Sequence, residues 1–354
     1  MTKTVGRVSL YDYDRTDWQA FCQARGLPKY RGTQIHEALM RGANQSSLMQ
    51  NIPNTLKAEI DAAFPKSALS IRKLQVSSID GSRKYLFQLR DGAMVEAVLM
   101  HYHHGASICL STQVGCCMGC YFCASSQLGF ERNLSAGEML EQFVLVSKEA
   151  GLRIHNMVLM GIGEPLDNLD EVLRFVDLVS DPKGVNLGAR RITISTSGLI
   201  PGIDRLAALR PQFTLSISLH AAEQAKRAEI MPIANRYPLD ELMAACKRYL
   251  KAGGKRISFE YILLRDFNDR DEDAEALAQL VKPLLCHVNL IPSNEVPGSR
   301  YHASRKSQIR RFQSIVESHG IPCTLRRSLG RDIEAACGQL RRSEKEKHSC
   351  GDIC

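Results

Sequence analysis

Apolar residues recur at helical spacing in three stretches near the N-terminus, DWQAFCQARG, TQIHEALMRG and NTLKAEIDAAF, within residues 13–65. Gly26, Gly32 and Gly42 fall at or near the breaks between them and read as stops or turns. Over residues 71–100 the period changes to two. KYLFQLRDGAMVEAVLM alternates as a hairpin does, with Asp91-Gly92 as its turn. Beyond residue 105, short runs rich in Ile, Val and Thr alternate with helical stretches. The runs are ASICLST, HNMVLMGIG, RRITISTSG, FTLSISLHA, RISFEYILL, CHVNLIPSN and CTLRRS; the helical stretches fall near 135–151, 168–180, 202–209, 239–252, 270–283 and 303–319. This is a βα repeat of about six units, the sequence form of a parallel sheet with outer helices. A full (β/α)8 barrel averages about 250 residues, and this region is slightly shorter. The pattern therefore predicts an α/β chain: a helical domain over 1–70, a β-hairpin extension over 71–104 and a partial (β/α)6 barrel over 105–342. The charged tail 343–354 lacks an apolar pattern and reads as disordered.

Polar or glycine-rich residues follow most of these runs: a cysteine cluster after the first, GIGEP after the second, STSG after the third, SLHA after the fourth and PSNEVPG after the sixth. The C-terminal strand ends of a βα barrel share one mouth, where its chemistry sits. The agreement predicts a single shared site. The 354 residues, 44% hydrophobic and 24% charged, suffice for a large buried core. No run approaches the ~18–20 apolar residues of a membrane span, and MTKTVGRVSLYDYDRTDW lacks an apolar signal-peptide core. We therefore expect a cytoplasmic, monomeric protein with no membrane partner, in a compartment that keeps thiols reduced. There, the 12 cysteines point to metal ligands or reactive thiols rather than a disulfide framework.

Cys116-Cys117-Met118-Gly119-Cys120-Tyr121-Phe122-Cys123 contains the pattern C-x3-C-x2-C. Thiolates so spaced can ligate three irons of one 4Fe-4S cluster and leave the fourth iron open, whereas ferredoxin-like carriers supply four cysteines. A structural zinc site competes, with a fourth ligand from His101, His103, His104 or Cys109. Cys117, Cys120 and Cys123 also offer a second register. In Gly161-Ile162-Gly163-Glu164-Pro165, two glycines permit close backbone approach to a ligand, and Glu164 can accept from an ammonium group. Ser195, Ser218-Leu219-His220 and Asn294 end three further strands. Singly they read as turn formers; at one rim they read as a polar cradle. Glu96, a lone carboxylate in MVEAVLM, reads as a residue of an exposed hairpin face. Cys337, in GRDIEAACGQLRR, reads as either a packed thiol or a nucleophile.

The C-x3-C-x2-C loop after the first barrel strand, with Phe122 before its last cysteine, resembles the radical S-adenosylmethionine (SAM) superfamily. More specifically, CLSTQVGCCMGCYFCASSQLGFERNLS, MGIGEPLDN, RRITISTSG, SISLHA, NLIPSN and DIEAACGQL, in this order, resemble the RlmN/Cfr family of radical SAM adenine methyltransferases. LPKYRGTQIHEALMRG is similar to that family's accessory domain, so the likeness runs from about residue 15 to about 342. It implies one 4Fe-4S cluster held by Cys116, Cys120 and Cys123, with exchangeable SAM on the open iron, and leaves Cys117 a bystander. Gly163 and Glu164 would hold the methionyl amino group, and Ser195, Ser218, Leu219, His220 and Asn294 the rest of SAM. One SAM would methylate Cys337. A second would yield a 5′-deoxyadenosyl radical that takes hydrogen from that methyl group, and the resulting methylene radical would add to an adenine carbon. This route suits an electrophilic amidine carbon, which SAM's own electrophilic methyl does not attack. Glu96 would accept a proton, and Cys109 would release the covalent RNA adduct by a transient disulfide with Cys337.

Ala124-Ser125-Ser126 departs from the Ala-Thr-Gly common in that family, and HAAEQAKRAEIMPIANRYP is an unusual version of its segment. The resemblance implies methylation at carbon 2 of an adenine in 23S rRNA and tRNA, with an external electron donor such as flavodoxin or ferredoxin. Carbon 8 is the enzymatic alternative, and a non-catalytic RNA-binding metal or redox sensor the other. The net charge of +8 permits a polyanionic partner. Basic residues gather at Lys29 and Arg31, Arg83 and Lys84, Arg190 and Arg191, and near Cys337 at Arg326, Arg327, Arg331 and 341–347. These could meet RNA phosphates or form an ordinary solvated surface.

Overall fold

Parallel strands buried on both faces need near-continuous apolar runs, and the runs beyond residue 105 form such strands. The computed structural model describes residues 9–64, 69–103, 105–293, 301–327 and 329–333. Asn294, His104, Cys337 and the tail with Cys350 and Cys354 lie outside the described residues. The N-terminal unit comprises α1 (Arg15–Gln23), α2 (Lys29–Met40) and α3 (Asn54–Ala63). Strands β1 (Leu69–Val76), β2 (Arg83–Leu89) and β3 (Met94–Tyr102) follow as an antiparallel meander. The remainder runs β4 (Gly105–Cys109), β5 (Gln113–Gly115), β6 (Phe130–Asn133), α4 (Ala136–Ala150), β7 (Ile154–Leu159), α5 (Leu169–Ser180), β8 (Ile192–Thr196), α6 (Ile200–Leu209), β9 (Thr214–Ser218), α7 (Gln224–Ile230), α8 (Leu239–Lys251), β10 (Ile257–Leu263), α9 (Asp271–Val281), β11 (Cys286–Pro292), α10 (Lys306–Ser318) and β12 (Cys323–Leu325).

One 10-stranded sheet has the order β1-β2-β3-β4-β7-β8-β9-β10-β11-β12. From β4 onward every neighbouring pair is parallel, as a partial βα barrel requires. The helices cover it with apolar stripes: α5 buries Leu169, Val172, Phe175, Val176 and Val179 at helical spacing. Ser135 and Glu138 form a reciprocal capping box that starts α4, and Gly151 in a left-handed conformation stops it.

The structure adds to the sequence expectations in three places. The extension has three strands rather than two, because β1 buries only Leu69 and so carries no alternating pattern. β5 and β6 form a small two-stranded ladder that brackets the cysteine loop. Gly32 is not a break. It lies inside α2, where α1 crosses so closely that a Cβ would overlap the Trp18–Gln19 backbone.

Two sets of contacts anchor the first and last described segments. Buried Asp12 accepts from Gly137 N (2.7 Å) and Ser135 Oγ (3.0 Å) at the start of α4 and faces Arg174 Nη1 (3.7 Å) on α5. After β12, Asp332 accepts from Ser77 Oγ (2.7 Å) and Ser78 N (2.8 Å) in the β1–β2 turn, and Gly330 N donates to Asp80 (2.8 Å). The two flanks of an open sheet are thereby joined by side chains.

Asp12→Ala leaves the buried donors Gly137 N and Ser135 Oγ facing no acceptor and removes one of the two carboxylates beside Arg174. Urea unfolding should show a loss of about 3 kcal/mol; an unchanged midpoint would mean that this junction does not hold the N-terminal unit.

Candidate active site

The strand ends β4 to β12 converge on one cavity of about 290 Å³. The cysteine loop after β4 forms one wall. Its ends are held by the β5–β6 ladder, and its middle by Tyr121 N donating to Ile230 O (3.0 Å) at the end of α7. Cys116, Cys120 and Cys123 line the cavity, whereas Cys117 is exposed and does not. Burial pushes the Cys116 thiol up to about 12. Among the described residues, no three His, Cys, Asp or Glu side chains gather so as to hold a single metal ion.

The GIGEP turn after β7 forms the adjoining wall. Ile162 O accepts from Thr112 N (2.9 Å) and Gln113 N (3.2 Å), and Gln113 Oε1 accepts from Glu164 N (2.8 Å). Gly163 (φ 112°) is required here: a Cβ would sit 2.6 Å from Gln113 Cβ and 2.8 Å from Thr112 Oγ1. The Glu164 carboxylate is buried. Oε2 accepts from Ser197 N (2.7 Å) and Ser197 Oγ (2.8 Å), and Oε1 from Leu166 N (3.0 Å). Burial raises its pKa against these donors.

Ser195 on β8, and Ser218 and His220 at the end of β9, also line the cavity. Leu219 does not; its side chain is in the core. Its backbone N and that of His220 donate to Glu260 O on β10 (3.0 and 3.2 Å). His220 Nδ1 accepts from Ile262 N (3.0 Å), which puts the imidazole proton on Nε2. Burial, then nearby Arg227, pushes its pKa down to about 3, so the ring is neutral. Phe122 meets that ring edge to face at 4.7 Å. The aromatic residue before the last cysteine thus packs the loop against β9.

Glu96 and Cys109 stand together. Val98 pairs with Lys84 on β2 and with Cys109 on β4, and Glu96 lies two residues along β3, so all four share one face. Glu96 is not on an exposed hairpin face: it is 3% exposed, and Lys84, 0% exposed, lies 3.7 Å away. Cys109 packs with Val98, Met100, Met160 and Leu329, and Met160 in turn lines the cavity. Lys84 is therefore part of the interior, not of an RNA-facing surface. Its neighbour Arg83 is bound to Glu149 (2.9 and 3.0 Å).

Sequence reasoning missed Ser197, Arg227 and Glu260, and misread Lys84. Glu260 lines the cavity, accepting from Ser216 Oγ (2.9 Å), Ser258 Oγ (3.2 Å) and Asn289 Nδ2 (2.8 Å). A carboxylate inside the apolar run SFEYIL was the available signal.

Lys84→Met removes the cation beside a buried carboxylate and should cost about 3–5 kcal/mol in denaturant unfolding. Lys84→Met with Glu96→Gln removes both charges and should recover most of that loss; no recovery would contradict the pairing.

The sequence profile of the radical SAM superfamily matches residues 110–279. The chain is 47% identical to a relative from Clostridium beijerinckii named "Probable dual-specificity RNA methyltransferase RlmN", over 95% of each chain. It is 44% identical to a relative of the same name from Alkaliphilus metalliredigens, over 98% of this chain and 99% of that one. A crystal structure of a radical SAM methyltransferase from Sphaerobacter thermophilus superposes with a TM-score of 0.89 at 43% identity, covering 94% of this chain and 98% of that one. On these similarities, and on a cavity built at the strand ends of a partial βα barrel, the chain belongs to the RlmN family of radical SAM proteins.

Proposed function

We propose that this protein is a radical SAM RNA methyltransferase that methylates carbon 2 of an adenine in 23S rRNA and in tRNA, through a methyl group carried on Cys337. The observation that carries the reading is the meeting of three cavity-lining thiols, a buried carboxylate loop and a polar strand-end rim in one cavity of an RlmN-family chain. The relatives' name favours this branch over carbon-8 methylation, and "dual-specificity" in that name supports two RNA classes.

The donor set suits a 4Fe-4S cluster. Cys116, Cys120 and Cys123, spaced C-x3-C-x2-C along one loop, line one wall of the cavity, and three thiolates so spaced can hold three irons of such a cluster. A cluster held by Cys116, Cys120 and Cys123 would supply the electron for reductive cleavage of SAM. The chain's own residues do the rest. Glu164, held by Ser197 and Leu166, accepts from the methionyl ammonium, and Gly163 lets that backbone approach. Ser195, Ser218 and the neutral His220, with Asn294, orient the ribose and adenine, and Leu219 contributes backbone. Glu96, 3.7 Å from Lys84, accepts the proton that leaves the methylated adenine carbon. The Cys109 thiolate attacks the Cys337 sulfur; the disulfide forms as the bond from Cys337 to the RNA-borne carbon breaks, and that carbon keeps the bonding pair and takes a proton to complete the methyl group.

Residues 1–70 serve as a second grip on RNA. Residues 71–104 form the wall that carries Glu96, and 105–342 form the catalytic barrel. The enzyme works as a cytoplasmic monomer with flavodoxin or ferredoxin as electron donor. No described helix is long and apolar enough to cross a membrane.

Target RNA treated with the reconstituted enzyme, SAM and reductant should yield 2-methyladenosine by mass spectrometry of its nucleosides. 8-Methyladenosine, or no product, would overturn the reading. Cys337→Ala should give no methylated nucleoside while keeping its cluster absorbance. Cys109→Ala should accumulate a covalent protein–RNA species; free protein with normal turnover would count against a resolving thiol.

A further inference from the structure

Arg227, on α7, is a guanidinium that is 1% exposed. Its partners are backbone carbonyls: Nη2 donates to Ser197 O (2.6 Å) and Ser218 O (3.4 Å), and Nε to Leu219 O (3.2 Å). Among the described residues no carboxylate pairs with it. A buried cation without a counter-charge costs several kcal/mol, so this arrangement favours an anion beyond those the described residues provide.

Its position says where that anion belongs. Three residues after Arg227, Ile230 O accepts from Tyr121 N in the cysteine loop, and Ile230 and Met231 pack on Cys120. On the other side Gly198 makes room for the guanidinium: a Cβ there would lie 3.2 Å from Nη2. Ser197, whose carbonyl Arg227 holds, is the residue whose N and Oγ hold Glu164. Arg227 therefore sits between the cysteine loop and the Glu164 loop. Two thiols lie within electrostatic reach, Cys120 and Cys246. Burial pushes Cys246 up to about 12, so it stays neutral. Arg227 itself, lowered by burial to about 10, stays charged at neutral pH.

We propose that Arg227 is a positioning residue whose fixed positive charge balances the anionic cluster on Cys116, Cys120 and Cys123, raising its reduction potential while tying the strand ends that hold Glu164. This rests on the reading of those cysteines as iron–sulfur ligands. A cluster with three thiolates gains a negative charge on reduction, so a nearby buried cation favours the reduced form.

The test is a potentiometric titration of the anaerobically reconstituted, full-length protein, followed by the electron paramagnetic resonance of the reduced cluster. In Arg227→Gln the reduced-to-oxidised ratio at a fixed potential should fall roughly tenfold. Arg227→Lys, which keeps the charge but loses the fork, should stay near the wild type. Cluster loading should also raise the unfolding temperature of the wild type and Arg227→Lys more than that of Arg227→Gln. Unchanged potential in Arg227→Gln, or an equal fall in both variants, would overturn the assignment. If Arg227→Gln does not fold, Arg227→Lys decides: a wild-type potential supports the charge, and a strong negative shift refutes it. A wild-type protein that takes up no iron and sulfide would instead sink the cluster reading itself.

Discussion

The site depends on one constraint: the polar groups at the ends of parallel strands must find partners inside a crowded rim. Here several strand ends find them on the neighbouring strand or its loop. The Glu164 carboxylate of the β7 loop takes the amide and hydroxyl of Ser197 after β8. The amides of Leu219 and His220 after β9 reach Glu260 O on β10, and His220 returns an acceptor to Ile262 N. Arg227 gathers the carbonyls of Ser197, Ser218 and Leu219. Satisfying the backbone and shaping the cavity are thus one task. A side chain such as Ser197 or His220 is fixed by hydrogen bonds before any ligand arrives, and fixed donors and acceptors are what a precise polyatomic ligand requires.

Much of this was legible in the sequence, and the reason is local. Helices α4, α5 and α8, the parallel strands, and the cysteine and GIGEP loops follow from patterns spanning fewer than twenty residues. What escaped depends on partners far apart in the chain. Glu96 reads as a surface carboxylate until Lys84, on the neighbouring strand, is placed beside it. Gly32 reads as a break until α1 is packed on α2. Arg227 belongs to a stretch with no readable motif, because its partners are backbone carbonyls, which leave no mark on residue identity. β1 was hidden because an exposed edge strand needs no alternation.

Charge is distributed by the same logic. The net +8 invites a search for a basic face. Several of the cations turn inward or pair along the fold: Lys84 with Glu96, Arg83 with Glu149, Arg132 with Asp91 and Glu138, and Arg174 with Asp12. Arg326 lines the cavity itself. A tally of charges along the chain therefore overstates the cations on the outer surface, and some of the basic dipeptides are structural.

The contacts of Asp332 and Gly330 with the β1–β2 turn carry a mechanical consequence. By strand order the sheet is an open strip, with β1 and β12 at its two edges. A strip can flex about its length, and its curvature would then vary with every thermal fluctuation. A side-chain strut between the turn and the segment after β12 turns the strip into a closed loop of fixed circumference. Splaying the flanks requires several hydrogen bonds to break together. The incomplete barrel is thus braced across its open side, and the brace opposes any splaying of the wall that carries Glu96 and Cys109 from the strand ends opposite.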